Sequence, residues 1–165
     1  MVKFSRKEKE EFNKLWKELL ENSFESVNKK DKKGRTILHY AVTVLDQRMV
    51  RLLIKKGADI NASDVGQYRP LHLAVMGQRL WNTKELIRAK VEVNVAERHG
   101  KHTPLHFACM VGAVEIVKEL VEAGGDAEQK DRYGKTPMYY AKNNKKIMEV
   151  LEHVFKLINV IICEA

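Results

Sequence analysis

Four six-residue segments of this chain repeat one another in register, and that leaves few folds open to it. They are Thr36-Ile37-Leu38-His39-Tyr40-Ala41, Arg69-Pro70-Leu71-His72-Leu73-Ala74, Thr103-Pro104-Leu105-His106-Phe107-Ala108 and Thr136-Pro137-Met138-Tyr139-Tyr140-Ala141, at spacings of 33, 34 and 33 residues. A period of this length marks modules stacked side by side, each too small to bury its own apolar face. The flanks recur in phase. A turn precedes each segment: Asp31-Lys32-Lys33-Gly34, Asp64-Val65-Gly66-Gln67, Glu97-Arg98-His99-Gly100 and Asp131-Arg132-Tyr133-Gly134. Gly57-Ala58-Asp59 follows the first segment and Gly124-Gly125-Asp126 the third.

Each part of the repeat has a physical reading. Threonine caps the helix after it, and proline in the first turn gives up no hydrogen bond, so Thr-Pro starts a helix cleanly. Leucine and alanine three residues apart then share one buried face. A second helix follows, with Val50, Leu53 and Ile54 in the first repeat and Ile116, Val117, Leu120 and Val121 in the third at steps of three and four. Gly57 and Gly124 suit a left-handed helix end. Beyond the repeats, Ser5 with Glu8 forms a capping-box pattern, and Phe12, Leu15, Trp16, Leu19 and Leu20 make one apolar stripe on a helix near residues 6 to 22. Ile147, Met148, Val150, Leu151, Val154, Phe155 and Ile158 continue an amphipathic helix at the other end.

The recurring Thr-Pro-Leu-His-x-Ala pattern resembles that of the ankyrin-repeat family over residues 27 to about 155. The resemblance implies an all-α solenoid of stacked helix-turn-helix units with β-hairpin-like finger loops. On this reading 1–165 is a single domain, with 1–30 a capping helix and lead-in, repeats at 31–63, 64–96, 97–130 and 131–155, and 156–165 a helix extension and tail. The pattern breaks locally. Asn82 and Thr83 stand where other repeats are apolar, and Lys90 stands where glycine should end the helix, so that helix is expected to end differently. Leu45 replaces an inter-helix glycine, and Tyr139 replaces the histidine.

Composition sets the compartment. Lys and Arg number 30 against 22 Asp and Glu, a net charge of +8, which raises the question of nucleic acid. No run approaches the roughly 20 apolar residues that cross a bilayer, and the start is charged where a secretion signal would be apolar. Cys109 and Cys163 therefore read as reduced thiols, and cytoplasm or nucleus as the expected location.

The residues that could carry chemistry have plainer readings. His39, His72 and His106 are one repeat apart, about 10 Å between packed helices, too far to share a zinc ion with bonds near 2 Å (about). They read as structural, hydrogen-bonding the backbone around the threonine turn. His99, His102 and His106 are closer, but no fourth ligand follows in register. Cys109 beside His106 lacks any orienting acid or oxyanion donor. No enzyme, metal or cofactor is expected.

The resemblance implies that partners meet the concave side, formed by the fingers and the exposed positions of the first helices. Carried across residue by residue, the candidate positions are Lys33, Arg35 and Val44 in the first repeat and Tyr68 and Met76 in the second. Lys101, His102, Met110 and Val111 follow in the third, and Arg132, Tyr133 and Lys135 in the fourth. Val44, Met76, Met110 and Val111 would make an apolar strip, flanked by cations and tyrosines of the kind that concentrate binding energy. The expected partner is a protein with an apolar ridge flanked by acidic groups, bound by a chain that is a monomer when free and acts as adaptor or inhibitor. Here the chain resembles stand-alone ankyrin inhibitors of transcription factors, such as inhibitors of nuclear factor kappa B. The alternative is nucleic-acid binding through the basic fingers, against which stands the scarcity of stacking aromatics. Leu53, Asp59 and Asn61 also look like the ankyrin pattern that asparaginyl hydroxylases modify.

Overall fold

A computed structural model of the chain describes residues 5–21, 26–44 and 47–153. Among these every regular element is a helix, and the helices group into two compact units, Met1–Glu92 and Val93–Ala165. The first holds α1 (Arg6–Glu21), α2 (Ile37–Val44), α3 (Gln47–Lys55), α4 (Pro70–Met76) and α5 (Leu80–Arg88). The second holds α6 (Pro104–Val111), α7 (Val114–Glu122), α8 (Pro137–Ala141) and α9 over residues 145–153. Each repeat is a first helix, a turn, a second helix and a finger, as the period requires.

In the first unit α2 packs on α1, α3 and α4, and α5 packs on α3 and α4. Leu38, Ala41, Val50, Leu53, Leu71 and Ala74 are buried to 1% exposure or less, on the faces the three- and four-residue steps assign, and Leu86 of α5 is buried as fully. The capping box forms: Ser5 N donates to Glu8 Oε2 at 2.9 Å and Glu8 N to Ser5 Oγ at 3.3 Å. Leu15 and Leu19 seal α1, whereas Leu20 is 58% exposed, against expectation. Leu20 stands at the edge of the stripe, about 100° around the helix from Leu19, and that edge faces solvent. In the second unit α6 packs on α7 and α8, and Ile147 and Leu151 of α9 are fully buried. Leu45, Val154, Phe155, Ile158 and Cys163 lie outside the described residues.

The fingers are built by an acid at their first position. Asp31 Oδ1 accepts from Lys33 N and Arg35 N, Asp64 Oδ1 from Gly66 N and Tyr68 N, and Asp131 Oδ1 from Tyr133 N and Lys135 N, all at 2.7 to 2.9 Å. Glu97, one methylene longer, wraps a longer finger through His99 N, Gly100 N and His102 N. The left-handed residue of that finger is Lys101, φ +56°, matching Gly34, Gln67 and Gly134, so the extra residue behind the 34-residue spacing lies here. Gly100 stays bare because a Cβ would stand 2.1 Å from the His102 ring.

Two devices tie one repeat to the next, and the first of them recurs. Asn28 donates to Gly57 O and accepts from Asp59 N, and Asn94 does the same to Gly124 O and Asp126 N, at 2.7 to 2.9 Å. Asn61, between them in register, accepts from Glu92 N at 3.1 Å. Meanwhile Arg51 grips Glu85 with two bonds of 2.6 and 2.8 Å, and Arg88 adds a third of 2.7 Å.

Candidate protein-interaction surface

The histidines are structural. His39 Nδ1 accepts from Thr36 N at 3.1 Å and its Nε2 donates to Tyr68 O of the next finger at 3.1 Å. His106 repeats this with Thr103 N and Lys135 O. The ring thus satisfies the helix start, a task the sequence assigns to the threonine: Thr103 Oγ1 accepts at 3.4 Å and Thr136 makes no such bond. Burial lowers the pKa of His39 to about 4 and that of His106 below its usual range. Cys109 is a free buried thiol that burial pushes up to about 12, far from a thiolate at neutral pH. Among the described residues no cluster of His, Cys, Asp and Glu could hold a metal ion.

The finger residues fall into two groups. Arg35, its side chain 17% exposed, bonds Glu8 at 2.9 Å and Asp64 at 3.2 Å, and Lys33 Nζ reaches the same Glu8 oxygen at 3.2 Å. Burial alone would raise the Glu8 carboxyl, but Ser5 N–H and Lys33 outweigh it and leave its pKa near 2 (about). His102 is likewise enclosed, 3.2 Å from Glu97 Oε1 and 3.4 Å from Asp131 Oδ2, with the Phe107 and Tyr140 rings beside it. These two carboxyls also sit below their usual range: burial opposes this, and N–H donors, with the Tyr140 hydroxyl on Asp131, prevail.

The second group faces solvent. In the first unit Val44 closes α2 at 49% exposure, Met76 closes α4 half-buried, and Tyr68 is half-buried edge-on to His72. In the second unit Met110 is 38% exposed with half-buried Val111 beside it, Lys101 and Arg132 are exposed, and Tyr133 is 69% exposed. Lys135 Nζ stands 4.1 Å from the centroid of the Tyr139 ring. Tyr139 and Lys142 were not among the expected positions; the signal was the break in the histidine register at 139. A groove of about 900 Å³ between α7 and α9 has a different character, with Val114, Val121 and Val150 ringed by Glu115, Glu122, Glu149, Lys118 and Lys146 and no convergent buried polar group. No helix among the described residues is long and apolar enough to cross a membrane.

A family model described as ankyrin repeats (3 copies) matches residues 7–97 and 71–159. The chain is also 30% identical over 76 residues to the nuclear factor NF-kappa-B p105 subunit of Gallus gallus, a match covering 42% of this chain and 8% of that protein. It therefore spans a small fraction of the length of that relative. With the family match running almost end to end and the helix-turn-helix repeats in place, this chain belongs to the ankyrin-repeat family, whose repeats generally serve as protein-interaction modules and not as catalysts.

Proposed function

We propose that the chain is an adaptor or inhibitor that holds a partner protein against its finger tips and the exposed ends of its first helices. The observation that carries this reading is the solvent-facing apolar set, Val44 in the first unit and Met110 and Tyr133 in the second, at 49%, 38% and 69% exposure among lysines and arginines. Side chains of that kind gain by being covered, and methionine and tyrosine adapt well to a partner surface. The partner that fits offers an apolar ridge with acidic flanks. The likeness to part of a nuclear-factor subunit supports a partner of the transcription-factor class and a place in cytoplasm or nucleus. Lys33, Arg35 and His102 contribute chiefly by fixing finger shape, since acids of the chain already hold them.

The test is quantitative affinity purification from lysate with the native chain and with Val44→Glu/Met110→Glu. Circular dichroism should show both folded, because the two positions are exposed. Loss of the proteins recovered with the native chain is the expected outcome; the same proteins in the same amounts on the folded variant would remove the basis for this surface.

A further inference from the structure

Repeat symmetry shows what the fourth finger is prepared to meet. Three close approaches join a finger to the next within each unit, the first an ion pair at Arg35 and a 3.4 Å approach without a hydrogen bond at His102. The residue before the threonine meets the next finger's acid: Arg35 Nε lies 3.2 Å from Asp64 Oδ2, and His102 Nε2 lies 3.4 Å from Asp131 Oδ2. The histidine meets a carbonyl: His39 Nε2 to Tyr68 O and His106 Nε2 to Lys135 O, both 3.1 Å. A finger carbonyl takes an N–H: Val65 N donates to Lys33 O at 3.0 Å and Arg132 N to Gly100 O at 2.8 Å.

In the fourth repeat the same three registers fall on Lys135, Tyr139 and the Tyr133 carbonyl. Lys135 has no carboxylate partner among the described residues, and neither have Lys142 and Arg132. The Lys135 and Lys142 ammonium groups lie 4.1 and 5.2 Å from the Tyr139 centroid, and that ring is 45% exposed. Two cations crowd one aromatic ring, and each would gain from an anion at that point.

From these registers we infer that the exposed face of the fourth repeat, built from Tyr133, Lys135, Tyr139 and Lys142, docks an acidic turn of a partner protein. The turn sets a carboxylate on Lys135, the register at which the first and third fingers approach the next finger's acid, and an N–H on the Tyr133 carbonyl. Its flanking apolar atom covers the Tyr139 ring. This rests on the protein-binding role proposed above and assigns part of that surface to a partner chemistry.

The probe is a fluorescein-labelled peptide with two Asp-Gly turns flanked by leucine, with lysine replacing aspartate in the control peptide. Anisotropy with the full chain should saturate for the acidic peptide only and weaken with salt. Lys135→Glu/Lys142→Glu should cut affinity by about tenfold, as charge reversal beside a docked acid does, and Lys135→Gln/Lys142→Gln by less; both changes are on the surface, and the milder pair serves if the first misfolds. Equal binding by native chain and folded variants overturns the inference. So does a rise in peptide affinity on cutting the chain after His153, which would give the face to its own tail, or a dimer by light scattering that the charge reversal dissolves, which would give it to a second copy. Val44→Glu/Met110→Glu should still bind the peptide, so partner capture that survives a failed peptide test would leave the wider reading standing.

Discussion

His39 holds its neutral form by geometry as much as by burial. Thr36 N–H points at Nδ1, so a proton there would set donor against donor, and the site is fully enclosed. Burial brings its pKa down to about 4 from the ordinary 6.5. Between these values the unfolded chain binds a proton that the folded one refuses, so stability rises with pH across the interval and falls on acidification. The amount is on the order of 3 kcal/mol for this one ring, with His106 acting in the same direction. Carboxylates such as Glu8, whose pKa is near 2 (about), follow the usual acid rule and lose their share only at lower pH. Thermal melts by circular dichroism should therefore show a falling midpoint from pH 6.5 to 4, and His39→Gln should flatten that slope whatever it does to the midpoint at neutral pH. An unchanged slope would mean that the ring is not what acid attacks. The structural role of this histidine was legible in the sequence because the motif carries threonine three residues before it. Its reach to the next finger was not, since a backbone carbonyl leaves no mark in the letters.

At the level of the helix, α5 is where sequence and fold pull apart. The expectation that it ends differently from its counterparts is not met. Lys90 takes φ +65°, its N–H donates to Ile87 O and Val91 N–H to Leu86 O, the same closure that Gly57 and Gly124 make. Lys90 is exposed and holds the left-handed turn at the cost of local strain. Asn82 sits in an apolar register yet is buried usefully, its amide donating to Val42 O at 2.9 Å near the end of α2. Thr83 is fully buried where Val50 and Val117 stand in neighbouring repeats, and its hydroxyl has no hydrogen-bond partner. Chemical denaturation should show Lys90→Gly more stable by about 1 kcal/mol and Thr83→Val by about 1 to 2 kcal/mol. A destabilised Thr83→Val would show that the hydroxyl has an acceptor after all. The repeat period located every helix of the array because apolar spacing and Thr-Pro starts are local signals. The asparagine ladder of Asn28, Asn61 and Asn94 escaped notice, though it keeps the same period, because a loop asparagine reads as a turn former until its backbone partners are seen.

Taken as a whole, the molecule carries a charge of +8, and the arrangement of that charge decides whether nucleic acid is a partner. A non-specific binder must lay several free cations along a phosphate track, and its affinity then falls steeply with salt, by a slope of about 0.9 for each phosphate neutralised. Here many of the cations answer to acids of the same chain: Lys29 to Glu18, Lys33 and Arg35 to Glu8, Arg51 and Arg88 to Glu85, and Arg69 to Glu92. Phosphate would have to displace a carboxylate already in place at each, and at Arg35 two of them. The exposed aromatics of the second unit, Tyr133 and Tyr139, are too few to form a stacking platform, and the latter ring is already flanked by two ammonium groups. Anisotropy with labelled DNA and RNA oligomers at low salt should accordingly stay flat over concentrations at which the acidic peptide saturates. Saturable binding that collapses as salt rises would reverse this judgement, and would make the fourth repeat's cations a phosphate site instead of a seat for carboxylates.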